Sequence, residues 1–244
     1  MKLYVVGIGP GEDCQLTGKA IMAIEESQLV VGYDVYIDLI KHLLPDKETL
    51  TTPMKREVDR CKLAVEAAIA GKKVAVISSG DAGIYGMAGL IYEVLAEYEA
   101  TDIQVEVIPG ITAASSAAAV LGAPLTHDFA VISLSDLLTP WEVIEKRLKL
   151  AAEAGFAICI YNPSSKKRSD YLKKACEIIL SVADRDTPCG YVRNIGREGQ
   201  TSKILTLGEL VKEQVDMFTT VIIGNKNTRV INDRLVTSRG YKGI

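Results

Sequence analysis

Short apolar runs alternate with amphipathic segments along the first half of this chain. The β-branched apolar runs typical of buried strands are residues 3–6, 29–31, 74–77 and 104–108. The segments with apolar side chains at helical spacing are residues 17–27, 56–70 and 87–98. Gly71 follows the second of these segments as a predicted helix C-cap. This alternation predicts a mostly parallel sheet covered by helices, the arrangement of an α/β fold.

A second alternating series follows an alanine-rich segment, residues 111–121, that predicts a closely packed helix. The strands predicted in this series are residues 129–134, 157–161, 190–192, 203–205 and 219–223. The helices predicted there are residues 141–154, 169–183 and 208–214. We therefore predict two α/β domains, residues 1–112 and 113–244, with the boundary in the region 109–126.

The strand at residues 74–77 stops abruptly at the small and turn-forming residues SSGDAG. Gly80 and Gly83 allow the backbone there to turn sharply and to approach a ligand closely. In open α/β sheets, ligands bind beyond the carboxyl ends of the strands, where such loops lie. We therefore expect this loop to hold a cofactor. As an alternative role, the Asp81 carboxylate could cap the amides of its own loop.

Composition narrows the class of protein without naming it. The chain has 244 residues and a net charge of −3, which gives no reason to expect a nucleic-acid or membrane partner. Its five cysteines are scattered without a CxxC pair, which indicates free thiols in a reducing compartment. The N-terminal sequence lacks a signal-peptide pattern, and no apolar run approaches the length of a membrane span. We expect a cytoplasmic protein.

The loop Gly7-Ile8-Gly9-Pro10-Gly11 invites comparison with a dinucleotide-binding site. That motif requires GxGxxG, and Glu12 stands at the last glycine position here. Pro10 also lacks an N–H group, which makes the loop a poorer phosphate cradle. Three roles of this loop remain as alternatives: a tight turn without a ligand, a dinucleotide site, or a loop that borders a substrate site.

Two histidines, His42 and His127, lie far apart and not at ligand spacing with cysteines, so we predict no metal site. His127 lies in a segment that leads into the strand at 129–134. It could be a simple connector, or it could donate or accept a proton near neutral pH. The polar cluster at residues 161–168 follows a predicted strand. Its basic residues could be solvated or could contact an anion.

Four of these segments, in this order, resemble the tetrapyrrole methylase family, the class III methyltransferases that use S-adenosylmethionine. They are VGIGPG at residues 6–11, SGDAGIYG at 79–86, PGITA at 109–113 and APLT at 123–126. The resemblance extends from residue 3 to about residue 224. Within the family, the chain is most similar to the branch that methylates C17 of precorrin-3B or cobalt-factor III in cobalamin biosynthesis. Ala82 and Asn162 stand where the uroporphyrinogen branch has proline and methionine.

The resemblance implies two α/β domains with a cleft between them, usually in a homodimer, and S-adenosyl-L-methionine as the cofactor. The cofactor contacts that it implies are Pro10, Gly80, Asp81, Ile84, Thr112, Ala113, Asn162 and Gly196. Pro10 would also border the tetrapyrrole. The expected substrate contacts are Gly9, Gly11, Lys55, Arg56, Arg168 and Arg197, the cationic ones because the substrate carries many carboxylates.

The implied reaction is methyl transfer to C17 with contraction of the ring, giving precorrin-4 or its cobalt form. Contraction needs a general acid or base, and His127 and Tyr85 are the catalytic candidates. If the substrate carries cobalt, which we favour slightly, His127 could instead ligate that metal. Because the sulfonium loses its charge in the reaction, we expect Asp81 to bind the adenosine or amino-acid end of the cofactor or to shape the loop. The alternatives are methylation at another carbon of the ring, a dehydrogenase, and a non-enzymatic binding protein.

Overall fold

The computed structural model describes residues 1–165 and 167–242. Lys166, which belongs to the predicted polar cluster, lies outside the described residues. The chain divides into two units, Met1–Ala113 and Ala114–Ile244, which are described separately below.

The first unit is built on a five-stranded sheet in which every strand pair is parallel. Its strands are β1 (Lys2–Gly7), β2 (Leu29–Tyr33), β3 (Glu48–Thr52), β4 (Val74–Ser78) and β5 (Gln104–Ile108). They lie in the order β3-β2-β4-β1-β5. The parallel sheet is confirmed, whereas β3 was missed because its sequence, ETLTT, carries a single large apolar residue.

Helices cover both faces of this sheet, as a parallel sheet requires. They are α1 (Gly18–Glu26), α2 (Asp34–Leu39), α3 (Glu57–Ile69) and α4 (Ala88–Glu97). Alternate residues of β1 serve the two faces: Leu3 and Val5 pack with residues of α3 and α4, and Tyr4 and Val6 pack with residues of α1 and α2. The predicted end of α3 is confirmed, because Gly71 follows it with φ of +95°.

The second unit holds a mixed sheet. Its helices are α5 (Ala113–Leu121, whose first residue still belongs to the first unit), α6 (Trp141–Glu153), α7 (Tyr171–Leu180) and α8 (Leu207–Leu210). Its strands are β6 (Gly122–Ala123), β7 (Phe129–Ser133), β8 (Ala157–Tyr161), β9 (Pro188–Arg193), β10 (Thr201–Thr206), β11 (Thr219–Ile223), β12 (Thr228–Ile231) and β13 (Arg234–Thr237). The main sheet has the order β10-β9-β11-β8-β7, and only β7 and β8 are parallel in it.

Two features of the second unit differ from the sequence prediction. The helix predicted at residues 208–214 is the shorter α8, which begins at a capping box between Thr206 and Glu209. Strands β12 and β13 form a hairpin that also pairs with β6, and the sequence pattern did not predict it. Across residues 1–165 and 167–242, none of the helices combines the length and apolarity needed to cross a bilayer.

Candidate active site

Three loops meet at the carboxyl edge of the sheet of the first unit. They follow β1, β4 and β5, which are neighbours in the sheet and point in the same direction. Gly9 and Gly80 join the first two loops by a pair of backbone hydrogen bonds. The Gly9 N–H donates to the Gly80 carbonyl at 3.0 Å, and the Gly80 N–H donates to the Gly9 carbonyl at 2.7 Å. The two glycine-rich motifs, which the sequence shows as separate segments, are therefore joined by backbone hydrogen bonds into one pair of loops.

The loops approach so closely that side chains are excluded where they meet. A Cβ atom on Gly7 would lie 2.6 Å from the Gly110 nitrogen and 2.7 Å from the Gly80 oxygen. A Cβ atom on Gly110 would overlap the Gly80 carbonyl oxygen even more severely. Glycine at positions 7 and 110 is thus required by backbone packing rather than by a ligand.

Asp81 ties two of the loops together through its carboxylate. Oδ1 accepts hydrogen bonds from the backbone N–H groups of Gly83 at 2.7 Å and Ile84 at 3.1 Å. Oδ2 accepts one from the Gly110 N–H at 3.0 Å. The interpretation that Asp81 caps the amides of its own loop is confirmed, and the bond to Gly110 extends this role to the loop after β5.

The part of the β4–α4 loop beyond Asp81 is exposed. Ile84 and Tyr85 are both exposed, and Tyr85 adopts a left-handed backbone with φ of +54°, which is unusual for a bulky residue. On the next loop, Ile111 is exposed and Thr112 is half-buried. The exposed side chains at this edge are apolar or aromatic and lie beside the polar loop backbone, which suits a ligand with an apolar body and polar substituents.

The remaining predicted contacts of the first unit lie on the loops after β1 and β3. Pro10 is buried, and Gly11 beside it is half-buried. Lys55 is exposed with φ of +69°, and its backbone N–H donates to the Glu57 carboxylate at 3.2 Å. Arg56 forms an ion pair with Asp59 one turn into α3. Both cationic candidates therefore follow the carboxyl end of β3, at the same edge as the glycine loops.

In the second unit, three strands end at one edge of the sheet. Strands β8 and β9 both run antiparallel to β11, so they share a direction, and β7 is parallel to β8. Asn162 follows β8 with φ of +52°, and its amide donates to the Ser133 hydroxyl at 2.9 Å. Gly196 follows β9 with φ of +63°, and its N–H donates to the Gln200 side chain at 2.7 Å. Asn162, Gly196 and Arg197 are thus brought to one edge by strands that are far apart in sequence.

The largely buried Arg168 side chain belongs to a hydrogen-bonded cluster that sequence analysis missed. Its guanidinium pairs with the Asp136 carboxylate at 2.9 Å and donates to the Ser135 hydroxyl at 3.0 Å. The Tyr171 hydroxyl donates to the other oxygen of Asp136 at 2.6 Å. The hydrogen bond from Tyr171 and the nearby Arg168 lower the pKa of Asp136. Arg168 therefore links the loops after β7 and β8, and no sequence spacing signals this pairing across 32 residues.

The two catalytic candidates have different settings. Tyr85 lies on the β4–α4 loop of the first unit, and His127 lies before β7 in the second unit. The exposed His127 ring accepts a hydrogen bond at Nδ1 from the Asp128 N–H at 2.7 Å, and the same Nδ1 lies 3.2 Å from the Asp128 carboxylate. Within the described part of the chain, no group of three His, Cys, Asp or Glu side chains is placed to hold a metal ion.

Comparison with known proteins assigns the class of enzyme. The family model described as Tetrapyrrole (Corrin/Porphyrin) Methylases matches residues 2–211, and this chain belongs to that family. The chain is 49% identical over 239 residues to a protein of Salmonella typhimurium named "Probable cobalt-factor III C(17)-methyltransferase", covering 98% of this chain and 99% of that protein. It is 42% identical over 248 residues to the "Precorrin-3B C(17)-methyltransferase" of Sinorhizobium sp., covering 99% and 97% of the two chains.

Among solved structures, the chain is similar to the crystal structure of the methyltransferase CobJ. The TM-score is 0.90 with 35% sequence identity, over 97% of this chain and 99% of that chain. The predicted fold class and the resemblance to tetrapyrrole methylases are therefore confirmed, and the chain is a methyltransferase.

Proposed function

We propose that this enzyme transfers a methyl group from S-adenosyl-L-methionine to C17 of cobalt-factor III or precorrin-3B, with contraction of the ring. The observation that carries the proposal is the near-complete alignment with two relatives named for C17 methylation. The exposed Ile84 and Tyr85 beside the glycine loops, at the carboxyl edge where α/β sheets bind ligands, support the cofactor assignment.

In this proposal, the glycine loops of the first unit hold the cofactor by main-chain contacts. S-Adenosylmethionine supplies an activated methyl group on a positively charged sulfonium. The substrate carbon donates an electron pair to form the new C–C bond as the S–CH₃ bond breaks and sulfur keeps the bonding pair. Because this step needs in-line geometry more than acid–base help, the protein contributes chiefly by positioning. Both oxygens of the Asp81 carboxylate already accept hydrogen bonds from the loops, so Asp81 helps to position the cofactor. A free carboxylate beside the sulfonium would instead stabilise the ground state, because the sulfonium loses its charge in the reaction.

Ring contraction requires proton transfer, and we assign it to Tyr85 and His127. The Tyr85 hydroxyl and the His127 imidazole are the groups that would move the proton. A variant that methylates but does not contract the ring would support this assignment. We would therefore measure methyl gain by mass spectrometry and contraction by absorption for Tyr85→Phe and His127→Asn. Unchanged rates of both steps in both variants would contradict it.

The substrate assignment is tested by anaerobic incubation of the purified enzyme with S-adenosylmethionine and cobalt-loaded trimethylated precursor. We expect a gain of one methyl group together with the absorption change of a contracted ring. Turnover only with the metal-free precursor would assign the substrate to the precorrin series. A methyl group located by NMR at a carbon other than C17 would contradict the proposal.

We further propose that the enzyme acts in the cytoplasm as a homodimer on a small-molecule tetrapyrrole. Five free cysteines, four of them buried, support a reducing compartment. Light scattering of the purified protein tests the dimer directly.

A further inference from the structure

Arg60 is a buried cation without a carboxylate partner. Its residue exposure is 4%, and no Asp or Glu oxygen of residues 1–165 and 167–242 forms an ion pair with it. Nη2 donates to the carbonyl oxygens of Thr52 at 3.2 Å and Pro53 at 3.3 Å. Neither its buried Nε nor the buried Thr52 hydroxyl has a hydrogen-bond partner in the described part of the chain.

Burying the Arg60 charge in this way lowers the stability of the folded protein, so folding by itself does not explain it. A buried charge costs several kcal/mol unless a partner and a full set of hydrogen bonds compensate it. Arg60 lies in the first turn of α3, where the helix dipole also disfavours a cation. Two carbonyl acceptors offset only part of that cost. A neutral side chain would serve packing better, so the charge itself requires an explanation.

The position of Arg60 supplies one. Its guanidinium carbon lies 5.9 Å from the ring centre of Tyr33, at the end of β2, and its acceptors lie at the end of β3. Nη1 contacts the Met87 sulfur, at the end of the β4–α4 loop, at 3.9 Å. Arg60 therefore lies at the carboxyl edge of the sheet, on the side of β4 away from β1.

The contact at Nη1 is the weak point of this arrangement. A thioether is a poor acceptor for a guanidinium, and methionine is a flexible side chain that moves at little cost. A carboxylate oxygen in its place would form a charge-assisted bond about twice as strong as a neutral one. Met87 is only half-buried, so a movement of its side chain toward solvent would open Nη1 to the edge of the sheet.

We propose that Arg60 is a carboxylate-binding site, at which a ligand carboxylate replaces the Met87 sulfur on Nη1. The ligand identity rests on the proposed function. The carboxylate comes either from an acetate or propionate arm of the tetrapyrrole or from the amino-acid end of S-adenosylmethionine, and the binding experiment below distinguishes these sources.

A double-mutant cycle tests the site without any ligand. Met87→Glu places a carboxylate on the residue that contacts Nη1, and it is compared in the native and Arg60→Met backgrounds by thermal unfolding. We expect Met87→Glu to raise the unfolding temperature by about 4 °C more when Arg60 is present. Met87→Gln, which has the same shape without the charge, is the matched control and should not show this coupling. Equal shifts in the two backgrounds would overturn the proposal, whatever the activity of the enzyme.

Ligand binding then identifies the source of the carboxylate. Affinity for S-adenosylhomocysteine is measured by calorimetry, and affinity for the cobalt-loaded tetrapyrrole is measured by fluorescence titration. We expect Met87→Glu to lower the affinity for one of the two ligands about tenfold or more, because the introduced carboxylate occupies Arg60. Met87→Gln should leave the affinity for both ligands unchanged. Unchanged affinity for both in Met87→Glu would overturn the proposal. Because neither measurement requires turnover, failure of the proposed reaction would remain distinguishable from failure of this site.

Discussion

The three hydrogen bonds to Asp81 predict that replacing it with asparagine destabilises the protein even without a cofactor. Asparagine retains one acceptor oxygen for the Gly83 and Ile84 amides, but its amide group then faces the Gly110 N–H. One charge-assisted hydrogen bond is lost, and two donors are opposed at a half-buried position. Hydrogen bonds to charged groups contribute about 1.5–3 kcal/mol each, so we expect a loss of about 2–3 kcal/mol.

For a protein of this size, that loss corresponds to a fall of roughly 4–12 °C in the unfolding temperature. We would measure it by circular dichroism at pH 7, together with the affinity for S-adenosylhomocysteine by calorimetry. Asp184→Asn is the matched control, because Asp184 caps a single exposed amide, that of Asp186 at 2.9 Å. We expect that control to lie within about 0.5 kcal/mol of the native protein.

The two roles considered for Asp81 predict different effects on stability, although both predict a loss of affinity for the cofactor. If the carboxylate shapes the loops, stability falls and affinity falls with it, because the loops are no longer held together. If the carboxylate acts only by contacting the cofactor, the unfolding temperature of Asp81→Asn stays within about 1 °C of native while affinity is lost. That second outcome would refute the reasoning from the hydrogen bonds.

Three further predictions follow from other parts of the structure. Gly110→Ala should destabilise the protein by about 3 kcal/mol, because the added Cβ atom overlaps the neighbouring backbone. The control Gly89→Ala lies in an open position of α4 and should stabilise the protein by about 0.5–1 kcal/mol. Chemical denaturation measures both free energies, and equal effects would contradict the packing argument. Tyr171→Phe should destabilise the protein across neutral pH. Because the pKa of Asp136 is lowered in the folded state, the charge-assisted part of this hydrogen bond is fully present above the ordinary aspartate pKa of about 4 and is lost as the pH falls through the lower folded-state pKa. The difference in stability from native should therefore shrink in acid, and a difference that stays constant would contradict this. A thiol reagent should modify one cysteine rapidly in the folded protein, Cys14, and all five after denaturation; a second fast thiol would show that a buried site opens.

The sequence predicted the elements whose signal is local. The glycine loops could be recognised because a glycine between an apolar strand and a helix marks a tight turn in any α/β protein. The parallel sheet of the first unit follows from the same alternation. Strand β3 and the β12–β13 hairpin were missed because their residues are largely polar or exposed, and pairing with neighbouring strands holds them in place.

The side-chain clusters could not be predicted in this way, because the residues that form them are distant in the sequence. Arg168 was predicted as a contact for substrate carboxylates, but the sequence of a polar loop does not show whether its arginine is paired with a distant carboxylate such as Asp136. Arg60 was not singled out at all, because within α3 it has the spacing of an ordinary polar helix residue. Only burial distinguishes it.

These two arginines show why charge on a loop is a poor guide to substrate contact. Arg168 is near a carboxylate of the chain, so its charge is compensated and its chief effect is to hold two loops in place. Within the residues that the structure describes, Arg60 has carbonyl and thioether acceptors and the Tyr33 ring within reach but no carboxylate. No opposite charge therefore compensates it, at an edge where ligands of α/β sheets bind. A guanidinium without a partner gains more from an arriving carboxylate than one already paired, because the paired one must first give up its own ion pair. By this reasoning, the arginine that the sequence pattern overlooked is a stronger candidate for carboxylate recognition than the one it selected.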